Sequence, residues 1–315
     1  MGSVSVCSGQ VLSIPVAEGS CTGPWHGFVL RHWPRQRARL GAQKRPIKLF
    51  TACSGTEAPA KVMQDLEFAF HSQVACDPKE TAHRFCKQNG LQACCWFEDV
   101  CALNRSECGS CLMHPGSECR LPALSPDILV IGFSCRPWSA QRAGSHVAED
   151  VQQHADFHLS YEDIKFTLET RPTAVLYENV DRFKGWVESF LEQLRAGGYH
   201  ADFRLLSLHS WVEARSTRVY IFALDATKVP SPALGTVLHI VDDLCSAREQ
   251  MRAVDPPMLV GRCMVPPGTP MWKKHVQPLL QVGNVGPDDS TMNGCFQWER
   301  EARELRNEWH LRGLH

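Results

Sequence analysis

The sequence predicts an α/β fold of the doubly wound, Rossmann-like kind, and three stretches predict it. Residues 127–131 (Asp-Ile-Leu-Val-Ile) are a short apolar run rich in β-branched side chains, which suits a strand covered on both faces of a parallel sheet. Ile47–Cys53 has strand character, Ser54–Pro59 reads as a tight turn, and Ala60–Phe70 carries helical periodicity through Val62, Met63, Leu66 and Phe70. Strand, glycine turn and helix make the first half of a nucleotide-type βαβ unit. The rhythm then repeats, with further strands expected over 71–76, 93–97 and 173–177 and helices between most of them.

Composition bounds the setting. A chain of 315 residues with 43% hydrophobic side chains has ample material for one large core. The formal net charge of −1 supplies no global basic field, so any nucleic-acid contact must rest on local patches. One such patch is Arg31, Arg35, Arg37, Arg39, Lys44 and Arg45, in a basic N-terminal arm over 1–45. Fifteen cysteines without a signal-peptide pattern point to a reducing compartment, nuclear or otherwise intracellular. The apolar runs are too short to cross a bilayer, so no membrane partner is expected. Val6 stands where a myristoylation signal wants Ser or Thr.

The strand over 71–76 closes at Asp77, which is expected to cap the next helix with Pro78 at its first position. An acidic residue there, about twenty residues after the glycine turn, is also where dinucleotide folds hold a ribose hydroxyl pair. The third strand, 93–97, runs into Glu98-Asp99-Val100. Residues 101–124 break the rhythm with Cys101, Cys108, Cys111, His114 and Cys119. Cys108-Gly-Ser-Cys111 has the spacing of half a zinc knuckle, but no second half of equal quality follows. The segment therefore reads as a loop of ordinary thiols, with no metal.

After Ile131, Gly132 ends the apolar run, and Cys135 follows between Phe133 and an Arg136-Pro137-Trp138 turn. Chemistry in open α/β sheets gathers at the carboxyl ends of strands, so Cys135 stands where a nucleophile is expected; inert packing is the alternative for any free cysteine. Residues 139–158 read as a polar loop and 159–169 as a helix. The strand over 173–177 finishes in Glu178-Asn179-Val180, which puts a carboxylate beside the strand bearing Cys135. A helix through Trp186, Phe190, Leu191 and Leu194 ends at Gly197-Gly198, and 201–208 with 218–224 alternate as an antiparallel hairpin. From Asp225 onward the prolines predict a small, irregular, loop-built C-terminal lobe, with a charged helix over 296–311.

Over roughly residues 46–224 these features, in this order, resemble the cytosine-C5 methyltransferases. Gly132-Phe-Ser-Cys-Arg-Pro-Trp-Ser139 is similar to the family's Gly-Phe-Pro-Cys-Gln-x-Phe-Ser nucleophile loop, and Glu178-Asn179-Val180 matches its Glu-Asn-Val motif. Arg218-Val-Tyr-Ile resembles the end of its Gln-x-Arg-x-Arg strand, and Phe50–Pro59 its first cofactor motif. Ser134 replaces a proline, Arg136 a glutamine, Glu57 and Ala58 two glycines, and Ala214 and Ser216 the Gln and first Arg of the hairpin motif.

The resemblance implies a Rossmann-like methyltransferase sheet with helices on both faces. It also implies S-adenosylmethionine as cofactor, held by Cys53, Ser54, Gly55, Thr56, Asp77, Pro78, Asp99 and Val100. Residues 46–224 would form this catalytic domain, and 225–315 a candidate target-recognition lobe. The implied reaction is methylation of carbon 5 of cytosine in DNA. Cys135 would add to carbon 6 as a thiolate, Glu178 would hold a proton toward ring N3 with a pKa raised by burial, and Arg218 would contact O2 and support both. The base would have to leave the duplex to reach Cys135. Two alternatives stay open: an RNA cytosine-C5 methyltransferase, and a catalytically weak cofactor-binding relative.

Overall fold

A computed structural model of the chain describes residues 45–103, 109–115, 118–119, 126–139, 151–207 and 217–251. The basic arm up to residue 44 and residues 252–315 therefore lie outside the described residues. All described residues belong to one compact unit.

Seven strands form one mixed sheet in the order β3–β2–β1–β6–β7–β9–β8. The central strand β1 (Ile47–Ala52) lies parallel to β2 (Phe70–Cys76) on one side and to β6 (Ile128–Ile131) on the other. β3 (Cys95–Phe97) extends the β2 side, and β7 (Ala174–Val180) lies parallel to β6. β9 (Thr217–Asp225) then runs antiparallel to β7, with β8 (Tyr199–Ser207) antiparallel at the edge. Strand order reverses between β1 and β6, which creates the crevice where ligands bind in open α/β sheets. A separate two-stranded ribbon pairs β4 (Gly109–Ser110) with β5 (Glu118–Cys119).

The continuous apolar runs are explained by two cores, one on each face. Phe50 and Ala52 of β1, with Val74, Cys76, Leu129 and Ile131, belong to a core shared with α4 (Leu159–Thr170) and α5 (Val187–Ala196). Leu49, one position out of phase, joins Ala75 and Trp96 in a second core under α1 (Ala58–Asp65) and α2 (Glu80–Gln88). The expected Rossmann-like sheet is thus present, with helices on both faces.

Several boundaries differ from the sequence expectation. α1 stops at Asp65 because Glu67 turns left-handed (φ 57°) and Phe68 N–H closes back on Met63 O, which frees Phe70 to start β2. Asp77 does not cap α2: Lys79 is the N-cap residue and has no side-chain cap, while the Asp77 carboxylate is engaged elsewhere. β7 continues through Glu178, Asn179 and Val180, since β9 pairs with it as far as Val180 opposite Arg218. The largest difference is α6 (Pro232–Met251), a 20-residue helix where loops are expected. Proline is tolerated in the first helical turn, so Pro232 starts this helix rather than forbidding it. Leu234 and Leu238 of α6 pack on Leu224, and Arg204 Nε of β8 donates to Asp242 Oδ1 at 2.9 Å. Among the described residues no helix is long and apolar enough to cross a membrane.

Candidate active site

Two loops leave the sheet on either side of its switch point. The first follows β1 and is built on left-handed backbone: Cys53 (φ 50°), Gly55 (φ 54°) and Glu57 (φ 56°). A Cβ on Gly55 would meet nothing within 4 Å, so glycine there serves conformation rather than close approach. Ser54 N–H donates to Cys76 O at 3.1 Å, and Gly55 N–H donates to Asp77 Oδ2 at 2.9 Å. The other Asp77 oxygen accepts from Lys79 N–H at 2.9 Å. Asp77 thus joins the turn after β1 to the turn after β2 and is almost fully buried.

Glu57 occupies a left-handed conformation (φ 56°) that costs an ordinary residue about 1–2 kcal/mol. Its carboxyl is buried, accepts a hydrogen bond from Thr51 Oγ1, and is pushed up to about 7 by burial. Thr56 and Pro78 are exposed beside this turn. Asp99 is exposed at the start of α3 (Val100–Leu103), with Oδ1 accepting from Cys101 N–H at 2.8 Å, and Val100 is buried.

Asp163 of α4 carried no signal in the sequence, where it is one acid in a polar helix. It is fully buried, among the described residues neither carboxylate oxygen has a hydrogen-bond partner, and burial pushes it up to about 8. Burial pushes the Cys53 and Cys76 thiols up, and a charge on Asp163 adds to that push.

The second loop follows β6. Cys135 is exposed and precedes a single 3-10 turn, Arg136–Trp138, while its neighbours Phe133, Pro137 and Trp138 are buried. Phe133 stacks on Phe190 (5.5 Å, 8°) and meets Phe183 edge-on, with Trp138 edge-on to both Phe133 and Phe183. Such pairs are worth about 0.5–1.5 kcal/mol each beyond burial, enough to fix the loop's base while its tip stays open. Ser134 Oγ donates to Asp156 Oδ2 at 2.7 Å, and Arg136 Nη1 lies 3.6 Å from the same oxygen. Asp156, in a polar stretch without periodicity, is a residue that sequence reasoning missed. It ties together two residues of the loop, since Ser134 and Arg136 both bind it.

β7 brings Glu178 beside this loop. A Cβ on Gly132 would lie 3.9 Å from Glu178 Oε2 and 3.4 Å from Cys53 O, so Gly132 lies between the turn after β1 and Glu178. Arg218 Nε of β9 pairs with Glu178 Oε1 at 3.0 Å. Partial burial pushes the Glu178 carboxyl up, and Arg218 offsets part of that push. Tyr220 is directly opposite Glu178 in the β7–β9 register, and its hydroxyl is pushed up by burial and by the Glu178 charge. Asn179, 1% exposed, points to the other face and donates from Nδ2 to Phe133 O at 3.3 Å. Cys135, Glu178 and Arg218 thus gather at the ends of β6, β7 and β9, while Cys53–Thr56, Asp77, Pro78, Asp99 and Val100 gather across the switch point. A cavity of about 450 Å³ lies elsewhere, under α6 and against β8, lined by Tyr199, Asp202 and Leu234 among others. It contains none of these groups.

A profile of the C-5 cytosine-specific DNA methylases matches residues 79–244, more than half of the chain. The chain belongs to that family. The match includes Asp99, Val100, Cys135, Glu178 and Arg218 and runs past Leu224 into α6, whereas Cys53–Pro78 precede it. No curated protein matches the chain. Among solved structures, the Dnmt2 methyltransferase of S. pombe aligns with a TM-score of 0.38 and 14% identity, over 57% of this chain and 50% of that one. The chain therefore spans about half the length of that protein.

The methyl donor of a C-5 cytosine methylase is S-adenosylmethionine, and the residues at the β1 side of the crevice suit it. Open space over Gly55 leaves room for a ligand, and Asp77 and Asp99 supply carboxylates for hydroxyl or amino donors.

Proposed function

We propose that this C-5 cytosine methylase methylates carbon 5 of cytosine in DNA, with Cys135 as the nucleophile. The observation that carries the reading is one strand serving two groups: β7 holds the Cys135 loop through Asn179 and presents Glu178, itself steadied by Arg218. Ser54, Gly55, Asp77 and Asp99 would hold S-adenosylmethionine, which supplies an electrophilic methyl group when bound. Cys53, Thr56, Pro78 and Val100 would complete that side of the site.

Carbon 5 of cytosine is a poor nucleophile. Addition of the Cys135 thiolate at carbon 6, with a proton from Glu178 passing to ring N3, makes carbon 5 the end of an enamine. After methylation, loss of the carbon 5 proton to a base lets the thiolate leave carbon 6, and N3 returns its proton to Glu178 as the ring is restored. Exposure suits Cys135 to this role, because the thiolate must meet an incoming base. A raised carboxyl pKa suits Glu178, because a carboxylate already ionised could not protonate N3. The base must be flipped from the duplex or offered in a single strand.

The test is trapping on DNA containing 5-fluorocytosine, whose carbon 5 cannot lose fluorine as a cation. The expected result is a denaturation-resistant protein–DNA complex that needs S-adenosylmethionine and vanishes in Cys135→Ser. Glu178→Gln should slow trapping by at least about a hundredfold, the lower end of general-acid effects. A complex that survives Cys135→Ser would move the nucleophile elsewhere. Trapping by 5-fluorocytosine RNA and not DNA would replace the substrate. Cofactor binding without trapping on either would leave a catalytically silent relative.

A further inference from the structure

We propose that Cys95, Cys111, His114 and Cys119 form a structural zinc site that clamps the 100–119 insert onto the edge of the sheet. The four side chains come from three places. Cys95 belongs to β3, Cys111 follows β4, His114 lies in the turn beyond it, and Cys119 ends the partner strand β5. Their ligand atoms all lie within 4.8 Å of one another. The three sulfurs converge on one ring nitrogen, with His114 Nδ1 at 3.2 Å from Cys119 Sγ, 3.4 Å from Cys111 Sγ and 3.9 Å from Cys95 Sγ.

Geometry favours a metal over plain packing. A tetrahedral centre with arms of about 2.3 Å to sulfur and about 2.0 Å to nitrogen puts those atoms roughly 3.5 Å apart, which the three observed separations bracket. A ring nitrogen makes a single in-plane hydrogen bond, so hydrogen bonding alone does not require three sulfurs around it. Each of the three cysteines is only 2% exposed. Buried thiols are usually dispersed in apolar packing, whereas these face one another and an imidazole.

The donor set argues for zinc and for a structural role. Thiolate and imidazole ligands select zinc among the common divalent ions, and four protein donors leave no position for water or substrate. Sequence spacing concealed the site, because the fourth ligand comes from the core strand β3 rather than from a second Cys-x-x-Cys pair. Cys108, the residue that suggested half a knuckle, lies outside the described residues, and Cys101 is not in the cluster. The clamp has a place in the architecture. β3 is an edge strand, Leu112 N–H donates to Trp96 O at 2.9 Å along that edge, and Trp96 Nε1 in turn donates to Asp77 O at 3.2 Å. The metal would hold the insert against the strand that leads to Asp99.

Metal analysis of the full chain, purified without chelator, should find about one zinc per molecule. Replacement by cobalt should give the charge-transfer and ligand-field bands of a tetrahedral thiolate site. Cys101→Ser should keep the full metal content, Cys119→Ala should lose it, and His114→Cys should keep it with a cobalt spectrum shifted toward four sulfurs. Metal at background in protein that circular dichroism shows to be folded, with no cobalt bands on titration, would overturn the proposal. So would a disulfide between any two of the three cysteines in protein purified under reducing conditions.

Discussion

Asn179 Nδ2 donates to Phe133 O at 3.3 Å, so the strand that presents Glu178 also sets the height of the loop that presents Cys135. The donor is 1% exposed, and its Oδ1 accepts from Val180 N–H at 2.7 Å, which fixes the amide's orientation. Removing it should therefore separate stability from chemistry. Asn179→Ala is expected to lose about 1–3 kcal/mol of stability, the cost of an unsatisfied buried carbonyl. At temperatures where the variant is fully folded, its single-turnover methylation rate should still fall at least about tenfold, since a nucleophile displaced by an ångström costs more than that. A folded variant with the wild-type rate would detach Asn179 from the positioning of Cys135.

The same loop is anchored from its other side by Asp156, which binds Ser134 and Arg136. Asp156→Ala is expected to slow covalent trapping without changing affinity for S-adenosylhomocysteine. Ser134→Pro, which restores the family residue, should partly rescue it by stiffening the loop covalently. Stopped trapping assays and calorimetry on the two variants check this; equal loss of both activities would mean general misfolding instead.

Glu178 and Arg218 make a prediction in pH. Partial burial raises the Glu178 pKa and Arg218 holds the rise down. A general acid is active when protonated, so the rate should decline with rising pH through the folded pKa of Glu178. Removing the cation removes the opposing influence: in Arg218→Met the alkaline limb should move to higher pH even as the maximal rate drops. A limb that moved to lower pH, or did not move, would assign it to a group other than Glu178.

Stability should have its own pH dependence from Asp163 and Glu57. Their folded values are about 8 and about 7, against ordinary values of 3.8 and 4.5. Between the ordinary and folded values the native chain holds protons that the unfolded chain has released. This contribution to stability is therefore complete below about pH 4 and is lost as pH rises through 7 to 8. At about 1.4 kcal/mol per unit, the two together are worth several kcal/mol. Asp163→Asn should flatten the decline and be more stable than wild type at pH 8. Urea unfolding at pH 5 and pH 8 measures both; parallel losses in wild type and variant would rule out Asp163 as the source.

Much of this was legible in the sequence, for reasons that lie in particular residues. β1, β6 and β7 were readable because strands buried on both faces must be apolar throughout, and Leu49, Phe50, Leu129 and Ile131 leave no other interpretation. The position of the Cys135 loop was readable because it follows such a strand immediately, and that of Glu178 because it closes the apolar run of β7, although the strand itself continues to Val180. Asp156 and Asp163 were not, because a partner far along the chain gives one acid its role and the absence of a partner gives it to the other. α6 was obscured by Pro230 and Pro232, which precede or start a helix as readily as they break one. The thiol–imidazole cluster was obscured because β3 supplies a ligand that looked like core.

Ala52 and Ile131 are register partners on adjacent strands, and the two loops of the site start one residue beyond them. Neighbouring strands are held about 4.8 Å apart by their backbone hydrogen bonds, whatever side chains they carry. The distance from donor side to acceptor side is therefore a property of one strand pair, and the chain between its two ends is exempt from maintaining it. Drift in that excursion, through lengthening, shortening or the acquisition of a metal-binding ribbon, leaves the alignment of the reacting groups intact. Relatives of this chain should accordingly tolerate large insertions between residues 103 and 126 while tolerating none between Ile131 and Cys135.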